Sequence, residues 1–129
     1  MLDQGGRANY DENMLMDWFR QDPELNLTPG QVKEKIDRGE NIVFLDVREP
    51  WEYQINRLDG AVHIPLGELP HRFKELDSDL QIIAYCHMGV RSLKATRFLK
   101  SRDFKNVMNL AGGIDAWSVQ INPNIPRYR

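Results

Sequence analysis

The sequence predicts an α/β fold in which a parallel sheet is covered by helices on both faces. Continuous apolar runs such as Asn41–Asp46 (NIVFLD) and Gln81–Tyr85 (QIIAY) lack the alternation of a half-buried strand. Strands buried on both faces read this way. Helical patterns lie between the runs, as parallel neighbours require crossover connections. Chemistry-bearing residues follow the runs, and open α/β sheets bind ligands outside the carboxyl ends of their strands.

The elements follow in order. Residues 1–25 are unlike the rest and read as an N-terminal extension, with one short helix over Asp11–Arg20 that places Leu15, Trp18 and Phe19 on one side. Such a segment packs on the domain or is a tail; a partner-binding helix is the sharper alternative. The domain covers residues 26–129. Thr28 and Gln31 form a capping box with Pro29 at the first helical position, predicting a helix to Arg38 that stops at Gly39. The Asn41–Asp46 strand follows, and Pro50 opens a short helix through Ile55. Gly60–Ile64 is a weaker strand ended by Pro65, and a helix is expected between Leu69 and Leu76. After the Gln81–Tyr85 strand, Ser92–Ser101 carries Ala95, Phe98 and Leu99 at core spacing. Asn106–Leu110 is the last strand, and Gly112-Gly113 turns into a short helix over Ile114–Trp117, with Trp117 in the core. The tail from Asn122 to Pro126 is too proline-rich to be regular.

A chain of 129 residues fits one domain, and 41% hydrophobic with 28% charged residues describes a globular protein. The net charge of −2 provides no basic field for nucleic acid. One cysteine excludes an internal disulfide, a CxxC redox pair and a cysteine-rich zinc site. His63 and His71 share no ligand spacing with it, so neither a metal nor another cofactor is expected. The first residues lack a basic n-region and an apolar h-region, and no stretch approaches the ~20 apolar residues of a membrane span. The expectation is a cytoplasmic protein without membrane contact.

That single cysteine, Cys86, stands where the second apolar run stops, a position expected to be reached from solvent. A lone cysteine is ordinarily a small buried hydrophobe. Here Gly89 permits a tight bend, Arg91 adds positive charge and a helix follows at once. Curled tightly, the loop's N–H groups converge as an anion-binding nest, reinforced by the helix N-terminus. Such surroundings favour a thiolate, the nucleophilic form of cysteine.

Cys86-His87-Met88-Gly89-Val90-Arg91-Ser92 resembles the active-site loop of the rhodanese family of sulfurtransferases. Further blocks agree in order: Asp46-Val47-Arg48 through Glu52-Tyr53, Gly60-Ala61 through Ile64-Pro65, and Leu110 through Gly112-Gly113 to Ala116-Trp117. The resemblance spans residues 26 to about 120. It implies a five-stranded, mostly parallel sheet and a persulfide carried on Cys86 between a sulfane-sulfur donor and a nucleophilic acceptor. It also implies a cradle formed by residues 87–92. Four residues separate Cys86 from Arg91 where the related cysteine phosphatases have five, so a phosphatase or arsenate reductase is the poorer alternative. A non-catalytic rhodanese-like interaction module is another.

Arg57-Leu58-Asp59 replaces the family's frequent GHI turn. His87 occupies a position that is basic in thiosulfate-preferring members, which implies a weakened hold on thiosulfate. The donor is expected to be a small anionic sulfur compound or a protein persulfide. The ending around Ile125-Pro126-Arg127-Tyr128 resembles rhodanese domains that follow adenylating domains, implying a ubiquitin-like sulfur carrier or an adenylyltransferase as partner. Asp46 is expected to hold loop amides or a nearby arginine, with a catalytic base as the lesser alternative. Arg48 is expected to pair with an acidic neighbour such as Glu52 or to face substrate, with structure favoured.

Overall fold

The computed structural model describes residues 22–129, so the helix expected over Asp11–Arg20 lies outside the described residues. The elements run β1 (Asn26–Leu27), α1 (Pro29–Asp37), β2 (Val43–Asp46), α2 (Pro50–Ile55), β3 (Val62–His63), α3 (Leu69–Arg72), β4 (Ile82–Tyr85), α4 (Val90–Lys100), β5 (Val107–Leu110) and α5 (Gly113–Gln120). The strands form one five-stranded sheet in the order β1-β5-β4-β2-β3, and every pair is parallel.

Alternate β4 residues explain its unbroken apolar run. Ile82 and Ala84 join a cluster with Leu45, Ala95 and Leu99, whereas Ile83 and Tyr85 join one with Val32, Ile114 and Trp117. α4 therefore covers one face and α1 with α5 the other. With both faces capped, β4 is apolar except for the hydroxyl of Tyr85 at its end, which donates to Asp46.

Local chemistry sets several boundaries. Thr28 Oγ1 accepts from Gln31 N at 3.2 Å while Thr28 N donates to Gln31 Oε1 at 2.9 Å, the reciprocal capping expected of this box. The helix expected over Leu69–Leu76 is broken into α3 between 3₁₀ turns at Leu66–Glu68 and Phe73–Glu75. Pro70 supplies no N–H to this stretch, and one turn of α-helix satisfies few of its own backbone groups. β1 has no counterpart among the expected strands. Two residues carry no periodicity, and β1 is defined by pairing with β5, where Asn109 N donates to Leu25 O at 2.7 Å and Ala111 N to Leu27 O at 2.9 Å.

The register places the site. Asp46 lies level with His63 on one side and Tyr85 on the other, so the carboxyl ends of β3, β2 and β4 form one row. Cys86 follows directly.

Candidate active site

β4 delivers Cys86 and α4 begins at Val90, leaving a short connection that Gly89 turns with φ of 103°. A side chain there would be strained. The turn brings three donors onto the sulfur: Gly89 N at 3.0 Å, Ser92 N at 3.4 Å and Ser92 Oγ at 3.2 Å from Sγ. The loop amides thus point inward, and the N-terminus of α4 faces the same atom. Such an array stabilises negative charge on sulfur.

Cys86 is nevertheless only 1% exposed, so the expectation of a thiol open to solvent is corrected. The chain curls back over the sulfur after the strand ends, and α5 closes the loop from behind. Ile114 N donates to Cys86 O at 2.9 Å and Asp115 N to His87 O at 3.1 Å. Gly113 makes this approach possible: a Cβ there would lie 2.4 Å from His87 O and 2.5 Å from Cys86 O. With their carbonyls held by α5, these peptides are fixed in orientation. A further tether comes from β5, where Asn109 Nδ2 donates to Gly89 O at 3.1 Å.

Arg91 forms a two-point pair with Glu52, Nη1 to Oε1 at 2.6 Å and Nη2 to Oε2 at 2.8 Å. Burial alone would raise the Glu52 carboxyl, but hydrogen bonds from Arg91 and Tyr128 hold its pKa at about 2. Glu52 is therefore the partner of Arg91 and not of Arg48. Arg48 is fully buried and uses all five guanidinium N–H groups. It donates to Asp46 Oδ1 at 2.9 Å and Oδ2 at 2.7 Å, to the side chain and backbone oxygens of Asn56, each at 2.7 Å, and to Tyr128 Oη at 3.1 Å. Asp46 also accepts from Arg48 N at 3.0 Å and from Tyr85 Oη at 2.9 Å. Asp46 thus holds an arginine, one of its expected roles. Arg48 is not among the donors to the sulfur, and it reaches the Arg91 pair through Tyr128, which bonds both Arg48 and Glu52.

His87 is stacked on Tyr128, with ring centroids 4.1 Å apart and 18° between planes. Burial lowers the His87 pKa below its usual 6.5 and so favours the neutral ring. Met88 and Val90, the other loop side chains, are exposed.

Of the residues singled out in the sequence, His87 to Ser92 surround or flank Cys86, while Asp46 and Arg48 form a separate buried ion pair joined to the loop through Tyr128 and Glu52. Sequence reasoning missed Asn109, Tyr128 and the Asp115–Arg127 pair. No spacing announces these residues, because each reaches the loop from an element distant in the chain. The doubled glycine before α5 was the available signal for Gly113.

Comparison with known proteins agrees with this geometry. Residues 28–120 match the family described as Rhodanese-like domain. YrkF of Bacillus subtilis, which carries the name of a sulfur carrier protein, is 42% identical over 96 residues, covering 74% of this chain and 51% of YrkF. A protein of Allochromatium vinosum named sulfurtransferase is 30% identical, covering 67% of this chain and 81% of that protein. The adenylyltransferase and sulfurtransferase MOCS3 of Arabidopsis thaliana is 30% identical over 121 residues, covering 81% of this chain and 26% of MOCS3. The crystal structure of a rhodanese-related protein from Thermoplasma volcanium superimposes with a TM-score of 0.70 at 29% identity, covering 77% of this chain and 95% of that one. The chain thus spans about half of YrkF and about a quarter of MOCS3. With the parallel five-stranded sheet, the cysteine loop and a match over most of its length, the chain belongs to the rhodanese-like domain family.

Proposed function

We propose that the protein is a sulfurtransferase that carries sulfane sulfur as a persulfide on Cys86. The observation that carries this reading is the convergence of Gly89 N, Ser92 N and Ser92 Oγ on one sulfur atom. A structural cysteine needs no such donors.

In the first half-reaction the Cys86 thiolate attacks the outer sulfur of the donor. A new S–S bond forms at Sγ, the donor's bond to that sulfur breaks (S–S in thiosulfate or a persulfide, C–S in mercaptopyruvate), and its electron pair leaves with sulfite, a thiolate or the pyruvate enolate. In the second, a nucleophilic acceptor attacks the outer sulfur of the persulfide and Cys86 departs as thiolate. Negative charge alternates between Sγ and the sulfur bonded to it. Preorganised N–H and O–H donors stabilise that charge without reorganising. Six residues from Cys86 to Arg91 make a cradle sized for one sulfur and cramped for a tetrahedral phosphate.

The donor surroundings favour a protein or low-charge persulfide over thiosulfate. Arg91 is paired with Glu52, Arg48 with Asp46 and Arg127 with Asp115, and burial disfavours a charge on His87. A dianion therefore meets guanidinium groups whose charge is already balanced. Relatives named as a sulfur carrier and as an adenylyltransferase with sulfurtransferase support a ubiquitin-like carrier or its adenylating enzyme as acceptor system. No described helix is long and apolar enough to cross a membrane.

The near-complete burial of Cys86 favours one competing reading, an interaction module whose chemistry is unused. Mass spectrometry after incubation with thiosulfate, mercaptopyruvate or a cysteine-desulfurase persulfide separates the two. One sulfur atom is expected on Cys86, lost on cyanide treatment and absent from Cys86→Ala. An unmodified cysteine with every donor leaves the module.

A further inference from the structure

The family match stops at residue 120, yet the residues beyond it return to the Cys86 loop. Ser118 Oγ donates to Ile125 O at 2.6 Å, Asn56 Nδ2 donates to Pro126 O at 2.6 Å, and Arg127 grips Asp115 at 2.8 and 2.9 Å. These bonds fix the backbone leading to Tyr128, so little additional freedom is lost when its side chain docks. Its hydroxyl donates to Glu52 Oε2 at 2.6 Å and accepts from Arg48. Its ring meets His87 on one side and the exposed Trp51 edge-on at 5.9 Å on another.

We propose that Tyr128 is a positioning residue of the sulfur-transfer site, which holds the His87 imidazole in place as a hydrogen-bonding group beside Cys86. The proposal rests on the sulfurtransferase reading and extends it to the C-terminal tail. His87 Nε2 is buried and has no hydrogen-bond partner among the described residues. Buried polar atoms are rarely left so, and an atom kept without a partner is available to a ligand. A ring adjacent to the nucleophile and clamped by a stack offers that nitrogen in one fixed place. The charged groups facing it are Asp115 from α5, Glu52 from α2 and Arg91 from α4, and the backbone of Tyr128 hydrogen-bonds the ring. The two carboxylates and the hydrogen bond to the Tyr128 backbone favour a charged imidazole, whereas burial opposes it more strongly and Arg91 adds to that opposition. The ring hydrogen-bonds the arriving sulfur compound and takes no proton in the transfer.

The test compares Tyr128→Phe, Tyr128→Leu and Tyr128→Ala by kcat/KM for sulfur transfer from thiosulfate and from a cysteine persulfide, with His87 titrated by NMR. Phenylalanine preserves the stack, so Tyr128→Phe is expected within about twofold of the parent, with an unchanged His87 titration. Leucine and alanine remove the ring and are expected to lose about fivefold or more, the scale of one aromatic pair. In Tyr128→Ala the His87 titration should also move up toward its ordinary value. A folded Tyr128→Leu that transfers sulfur as well as Tyr128→Phe overturns the proposal, and this pair suffices even where the alanine variant fails to fold. An unchanged His87 titration in folded Tyr128→Ala overturns it alone. Failure of the parent protein to accept sulfur from either donor removes the sulfurtransferase reading and this proposal together.

Discussion

Replacing Glu52 by glutamine tests whether the carboxylate that grips Arg91 is held ionised by its partners. Its pKa lies at about 2 in the folded protein against a usual 4.5. Because the folded value is the lower one, the ionised carboxylate contributes stability fully above about pH 4.5 and loses it as pH falls toward 2. A difference of this size corresponds to about 3 kcal/mol at 1.36 kcal/mol per unit, an upper figure because Arg91 is 35% exposed and partly screened by water. Glutamine keeps the shape and a hydrogen bond but cannot titrate. At pH 7 the Glu52→Gln protein should therefore be about 1–3 kcal/mol less stable in urea unfolding followed by tryptophan fluorescence. At pH 3.5, one unit below the unfolded carboxyl's midpoint, the parent has lost about 1.4 kcal/mol of that advantage and the gap should narrow by the same amount. A gap identical at both pH values would refute the assignment, since it would mean that the carboxylate's charge adds nothing beyond its shape.

Three further outcomes are expected. Arg48→Ala strands the buried Asp46 carboxylate and should cost about 3–5 kcal/mol in urea unfolding, with a smaller effect on turnover of the protein that remains folded. A stable Arg48→Ala protein with a large loss of turnover would instead place this arginine in the chemistry. Gly113→Ala forces a Cβ against the Cys86 and His87 carbonyls, so the loop must shift; about 2–4 kcal/mol of stability and much of the sulfur uptake should go, read by thermal unfolding and mass spectrometry. Ser92→Ala removes one of the three donors to Sγ, worth about 1 kcal/mol, and should slow Cys86 alkylation at fixed pH severalfold while leaving the fold intact.

The cysteine loop could be read from the sequence because its chemistry is local. Cys86, Gly89 and Ser92 lie within two turns of chain, and the geometry that brings two N–H groups and a hydroxyl to one sulfur needs little beyond that segment. The same holds for the Thr28–Gln31 capping box and for the both-face burial of β4, since propensity, capping and apolar runs act over a few residues. The pairing of Arg48 was open in the sequence, which offered Glu52 four residues away. In the structure the nearer Asp46 takes Arg48, and Glu52 takes an arginine 39 positions on.

Class of fold, the covered parallel sheet and the one cysteine that could serve as nucleophile were determined by sequence alone, because side-chain periodicity and one unrepeated thiol carry that information without reference to distant residues. Only the tertiary structure decided that the sulfur lies buried, that Gly113 braces the loop from behind, and that Tyr128 returns to stack on His87. β1 belongs with these, being two residues made a strand by β5. All of these depend on contacts between segments far apart in the chain, whose meeting is set by how the layers pack and leaves no periodic trace in the order of residues.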